Sequence, residues 1–392
     1  MSTTNFALLA LHRSLVSIDC ITENEHPCSV FLAEHLRALG WTVETQLVSP
    51  AEGSRPAREN VFAYPGKNRN VRAVLNSHID VVPPYIPYRE DDENVYGRGS
   101  ADAKGSVAAQ IVAADELWRD GRLGEGDLGV LYVVGEEVDH VGMVEANNLG
   151  ITPEFLIVGE PTELILAKGH KGIIKFRVEV TGKAGEFWRS FQLNLAYTLT
   201  SPHPSPLRLP GARHFRDRCP NRGPLHAETP SKYGSQLHLS IPGISPTHFT
   251  HLQALPVDAR LGETTMNIGL LSGGVAANVI PALASADIMC RVTTTVDDLW
   301  RLILEAVGDR PGVRLVRQIT FEPVRCEVVE GFETDVMKYN TDIGAWKSPV
   351  KSYLYGPGSI LCAHAPHEFI SKKELLQSVD GYKRLITTLL QK

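Results

Sequence analysis

The 392-residue chain is predicted to fold as a layered α/β domain interrupted by a smaller α+β domain. Three observations carry this reading. Up to about residue 173 short β-branched runs alternate with helical stretches, from there to about 323 the runs alternate with period two, and beyond 324 the first pattern returns. The boundaries so read are 1–173, 174–323 and 324–392, with the first and third segments forming one domain.

In chain order, residues 5–40 read as helical, with Gly40 as the stop, and WTVETQLV alternates like a strand. VRAVLNSHID is an apolar strand running into His78, and KGSVAAQIVAADELWRDG is an alanine-rich helix ended by Gly121. DLGVLYVVGEE and PEFLIVGEP are continuous apolar runs, as expected of strands covered on both faces. In the second domain IIKFRVEVTGK, TTMNIGLLSGG and SADIMCRVTTT alternate, DLWRLILEAVGD is helical and VRLVRQITFEPV is again a strand. This predicts a small antiparallel sheet with one face covered by about two helices, of which only the second is legible. SYLYGPGSILCAH then supplies a strand and a Gly-rich turn, and KKELLQSVDGYKRLITTLLQ a closing helix.

A net charge of -6 offers no basic field for nucleic acid or an anionic membrane. The six cysteines are scattered without a CxxC pair, which argues against a disulfide framework and for a reducing compartment. FALLALHRSLVSI lacks a preceding cation and is interrupted by His12 and Arg13, so it reads as an amphipathic helix and not a leader. A cytoplasmic location is the expectation.

Metal-capable side chains close several apolar runs: His78 in SHID, Glu136 and Glu137 in GEEVD, Glu160 in GEPT and His364 in ILCAHAPHE. Asp102 sits in the Gly-rich turn GRGSADAKG before a helix. Ligands of open α/β sheets gather beyond the carboxyl ends of strands, so these positions can converge on one crevice. Two imidazoles with several carboxylates suit zinc or cobalt, with manganese as a further alternative. Asp80, two residues from His78 on an extended chain, lies where it can accept the other imidazole N–H. The adjacent carboxylates of GEE would point to opposite sides of an extended backbone, one to a metal and one to a water.

SHIDVVP, YGRGSADAKGSVAA, GEEVDHVG, VGEPT, GGVAANVIPALASADIMCRV and LYGPGSILCAHAPHEFI occur in an order that resembles the acetylornithine deacetylase, succinyl-diaminopimelate desuccinylase and carboxypeptidase family of dinuclear zinc hydrolases. The resemblance covers about residues 5–184 and 255–392. It implies a zinc-peptidase-like catalytic domain with an inserted lid that forms a homodimer. It further implies that Asp102 bridges two divalent ions, zinc or alternatively cobalt, that His78 and Glu160 complete one, and that Glu137 and His364 complete the other. His367 competes with His364 for the last place. Glu136 would be the general base, while Asn278, Arg291 and the loop from Gly356 to Ser359 would face substrate. The implied reaction is hydrolysis of an amide in a small N-acyl amino acid, as in an N-acetylornithine deacetylase of arginine biosynthesis, or at a peptide C-terminus.

One segment departs from that family. After TGKA a His-containing motif and a long helix are expected, yet Gly185, Glu186, Phe187 and Trp188 follow, and ten prolines lie between Pro202 and Pro256. Interior prolines exclude a continuous helix, so residues 185–254 are expected to be disordered and the lid His to be missing. That loss leaves open a second reading, a non-catalytic binding or regulatory protein that keeps the metal site.

Overall fold

The computed structural model describes residues 3–49, 56–182, 185–186, 255–276 and 279–391. The run from 187 to 254, Asn278, and the expectations attached to them lie outside the described residues.

The larger sheet has six strands, in the order Trp41–Ser49, Arg58–Pro65, Leu128–Val133, Ala73–His78, Phe155–Val158 and Lys351–Leu354. The last four are parallel, and the first two join antiparallel at one edge. Ala73–His78, Leu128–Val133 and Phe155–Val158 are buried along their whole length, which explains their unbroken apolar sequence. Successive side chains enter two separate cores. Val61, Ala63, Ala73 and Leu75 join the helices on one face, while Phe62, Tyr64, Val74 and Leu131 pack against Met143, Tyr339 and Trp346 on the other.

On the first face the alanine-rich helix Lys104–Arg119 lies against Thr3–Val16 and Lys372–Leu390. Its alanines allow this close approach. The sequence suggested one helix over 5–40, whereas the chain forms Thr3–Val16 and His26–Ala38. The break falls at a Ser, Asp, Thr and Asn cluster whose side chains compete for backbone groups; Asp19 Oδ1 accepts from Ile21 N, and Thr22 is drawn off to Asp80.

The smaller sheet is antiparallel throughout, ordered Thr265–Gly273, Leu283–Val292, Gly172–Thr181 and Val313–Phe321. One helix, Val296–Val307, covers it among the described residues, with Leu299 and Ile303 packed on Ile174, Phe176, Val178 and Ile288. Thr295 caps this helix by accepting from Asp298 N, and Gly308 ends it at φ 64°. The alternating run Thr265–Gly273 is an edge strand and remains largely exposed, with Ile268, Leu270 and Leu271 on its surface. Period two reports a strand but not which of its faces is covered.

His12 and His170 are wholly buried, and desolvation pulls each imidazole down to about 4. His12 Nε2 is tied to the Ser100 carbonyl at 2.9 Å, just ahead of Asp102. Both groups fold neutral, so their contribution to stability is complete above the unfolded value near 6.5 and falls away as pH drops toward 4, by about 1.4 kcal/mol per pH unit for each. His12→Gln, which removes one such proton uptake, is therefore expected to gain on the wild type over that interval. Paired urea titrations at successive pH values check it; a difference that does not change with pH refutes it.

Candidate metal centre

Asp102 occupies the middle of a cluster that is buried except at His364, whose side chain is half exposed. Its Oδ1 lies 3.0 Å from His78 Nε2, and its Oδ2 lies 3.3 Å from His364 Nε2. Glu160 approaches His78 Nε2 at 3.7 Å, and Glu137 approaches His364 Nε2 at 3.0 Å. The structure thus brings His78, Asp102, Glu137, Glu160 and His364 together in two halves that share Asp102. His367 is exposed and stays outside.

His78 ends its strand, and Glu160 follows Phe155–Val158 by two residues, so both reach the crevice at the carboxyl edge of the sheet. His364 does not end a strand. It lies in the irregular turn after Lys351–Leu354, where Gly and Pro break the backbone, and it adopts φ 61°. Nor is GEE extended, because the N–H groups of Asp139 and His140 both bond back to the Gly135 carbonyl and close a turn. The turn itself separates the two carboxylates. Glu137 faces His364, while Glu136 Oε1 lies 3.6 Å from His140 Nδ1.

Asp80 holds this turn. Its carboxylate accepts from Glu136 N at 3.0 Å, Glu137 N at 3.2 Å and Thr22 Oγ1 at 2.8 Å. The partner of His78 Nδ1 at hydrogen-bond distance is instead the backbone carbonyl of Asp80, at 3.0 Å, with the Asp80 carboxylate farther off at 3.6 Å. The tautomer is still set from residue 80, through its main chain.

A second fixture joins the two sides of the crevice. Glu368 Oε1 accepts from the N–H groups of Gly99, Ala101 and Asp102 at 2.9, 3.2 and 3.2 Å, and Glu368 Oε2 binds Arg98 at 2.7 Å. Arg98 also donates to the carbonyls of His364 and Ala365. Sequence reasoning missed both residues; their signal is a charged side chain inside a Gly- or Pro-rich turn amid apolar sequence. It also missed His140 and Asp342, which stand beside Glu136.

Gly356 packs so closely that an added Cβ would lie 2.5 Å from the Glu160 carbonyl, and Ser359 donates to Glu163 at 2.7 Å. Both positions fasten the Glu160 loop. Arg291 lies part-buried on the Leu283–Val292 strand, where desolvation lowers its pKa against the opposing pull of Glu136.

Electrostatics set the cluster apart. Burial, then neighbouring carboxylates, push Glu136 well up and Glu160 up to about 8, and burial with Asp102 raises Glu137. Burial also opposes ionisation of Asp102, but the hydrogen bonds with His364 and His78 outweigh it and depress its pKa. Hydrogen bonds to Asp102 and Glu137 lift His364 to about 10. Carboxylates outnumber imidazoles, Glu160 Oε1 is buried without a partner among the described residues, and ligand atoms of His78, Asp102 and Glu137 lie within 4.8 Å of one another. This donor set fits divalent cations, which would replace the protons now shared among these groups.

Comparison with known proteins identifies the family and the fold. The profile of Peptidase family M20/M25/M40 matches residues 74–388. A protein of Aspergillus terreus named "Probable carboxypeptidase" is 36% identical over 407 residues, covering 96% of this chain and 85% of its own. A tripeptidase from Staphylococcus aureus shares the fold with a TM-score of 0.70 at 17% identity, with 99% of each chain covered. A Bacillus subtilis protein described as a dinuclear metal binding peptidase does so with a TM-score of 0.59 at 14% identity, again with 99% of each chain covered.

Two outcomes follow from the site. With Glu160 pushed up to about 8 and His364 to about 10, zinc binding at pH 7 is expected to release protons and to tighten as pH rises. Calorimetry in buffers of different ionisation enthalpy counts them, and zinc uptake without proton release contradicts the cluster as drawn. Glu368→Ala, which strands the buried Arg98, is expected to lose about 3–5 kcal/mol of stability in denaturant titrations. A loss under about 1 kcal/mol, typical of a surface pair, shows that this fixture is dispensable.

Proposed function

The chain belongs to Peptidase family M20/M25/M40 and is a metallopeptidase of it; from that premise we propose that it hydrolyses the amide bond before the C-terminal residue of a short peptide or of a small N-acyl amino acid. The observation that carries the reading is the placement of Asp102 between two imidazole and carboxylate pairs, with Glu136 held to one side by the turn that Asp80 fastens. The names of relatives favour a carboxypeptidase over an N-acetylornithine-type deacetylase, reversing the slight order that the motifs suggest.

His78 and Glu160 would hold one divalent ion, Glu137 and His364 the other, and Asp102 both; zinc suits these donors, with cobalt as the alternative. When bound, such ions polarise the scissile carbonyl and acidify the attacking water. Glu136, held beside the cluster by the turn that Asp80 fastens, would take the attacking water's proton and return it to the leaving nitrogen. Asp80 acts through the main chain, keeping the Glu136 and Glu137 N–H groups turned to itself and their carboxylates to the crevice. Arg291, a part-buried cation in the field of Glu136, is our choice for holding the substrate's C-terminal carboxylate. Asn278, outside the described residues, is assigned beside it from sequence alone. The exposed apolar edge strand Thr265–Gly273 supports a homodimer through the lid.

Glu136→Gln is expected to lower kcat on an N-blocked dipeptide by about 10²–10⁴ while zinc content is unchanged. Arg291→Ala should raise KM for the same substrate and leave its C-terminal amide unaffected. N-acetylornithine run in parallel separates deacetylase from carboxypeptidase. Full turnover by Glu136→Gln defeats the mechanism, and bound zinc with no hydrolysis by the wild type supports the non-catalytic reading.

A further inference from the structure

Beside Glu136 lies a second buried polar group that the reaction as described does not use. His140 closes the GEEVDH turn, its ring nearly wholly buried, with Nδ1 2.9 Å from Asp342 Oδ1 and 3.6 Å from Glu136 Oε1. Its Nε2 lies 3.0 Å from Asn340 Nδ2. A carboxylate can only accept, so Nδ1 carries the proton; in a neutral ring Nε2 must then accept, and Asn340 turns its amide N–H toward it. The two contacts agree on one tautomer, and that tautomer aims its N–H at the space between Asp342 and Glu136. The edge of the Phe321 ring, with centroids 4.7 Å apart, walls the imidazole on another side.

The backbone points the same way. His140 has φ 58°, a left-handed conformation that favours Gly and costs other residues about 1 kcal/mol or more. A side chain held there is overdetermined by its surroundings, here the Gly135 carbonyl that accepts its N–H at 2.8 Å, Asp342 and Asn340. The ring spans two parts of the chain that are some 200 residues apart.

We propose that His140 is a positioning residue for the reaction, its Nδ1–H held between Asp342 and Glu136 so that Glu136 Oε1 is fixed toward the imidazole and the other carboxylate oxygen is left free for the water. This rests on Glu136 being the general base. At 3.6 Å the approach to Glu136 is looser than a hydrogen bond, as is common before substrate is bound, and a shift of about half an ångström makes the N–H bifurcated.

The test uses the full zinc-loaded chain and an N-blocked dipeptide. His140→Phe keeps a ring against Phe321 but removes the N–H, and is expected to lower kcat about tenfold or more with KM within about twofold and zinc content unchanged, and to lower Tm because the buried Asp342 carboxylate loses its partner. His140→Asn, whose amide nitrogen stands where Nδ1 stood and which tolerates positive φ, should recover kcat to within about threefold of the wild type. If the Phe protein does not fold, His140→Gly serves in its place, since that backbone accepts glycine. In a Glu136→Asp background, where the carboxylate is withdrawn from the ring, the same substitution should change kcat by less than about twofold. Equal losses in both backgrounds, loss of zinc, or full kcat without the N–H each overturn the inference. Full turnover by Glu136→Gln instead removes the general-base premise, and the inference with it.

Discussion

The buried pair of Arg98 and Glu368 is the constraint on which the site depends. Glu368 gathers three backbone N–H groups from the loop that ends in Asp102, and Arg98 spans from that carboxylate to the carbonyls beside His364. An ion pair taken out of water at both ends is a weak source of net stability, because desolvation offsets most of the attraction. Its value here is directional. Its hydrogen bonds tie the loop of Asp102 to the loop of His364, and Arg98 Nε adds a bond to the Pro84 carbonyl at 3.3 Å.

Asp80 does the corresponding work on the opposite wall. By collecting the N–H groups of Glu136 and Glu137 it sets a turn in which neighbouring carboxylates diverge, one into the cluster and one to its margin. The cluster that results has more carboxylates than imidazoles, and its burial and crowding push the Glu160 carboxyl and the His364 imidazole toward their protonated forms. Such an arrangement is unfavourable by itself and is relieved by cations, which is why structure and electrostatics lead to the same ligand class.

Much of this was legible in the sequence. Apolar runs ending in His78 or followed closely by Glu160 report both the parallel sheet and the edge at which ligands gather, and Gly121 marks a helix end where the periodicity places it. Other features were not, for identifiable reasons. The break between the first two helices depends on Thr22 reaching Asp80, and the turn at Glu136 depends on Asp80 accepting from its main chain; both are contacts that periodicity does not carry. Arg98, Glu368, His140 and Asp342 have no repeat or spacing that singles them out, since each acquires its role from a partner roughly 200 to 270 residues away. The exposed strand Thr265–Gly273 has the alternation of a half-buried one, and sequence pattern does not distinguish the two.

The separation of 270 residues between Arg98 and Glu368 also has a consequence in time. As the chain leaves the ribosome, the Asp102 loop emerges with its three N–H groups unmet and with Arg98 lacking its counter-charge, and it stays so until residue 368 has been made. The helix that packs beneath the loop, Lys104–Arg119, likewise waits for Lys372–Leu390. Contacts so distant in sequence form late, after loop-closure entropy has been overcome. A chain that ends short of this point therefore carries most of the side chains of the site without the pair that joins its two loops.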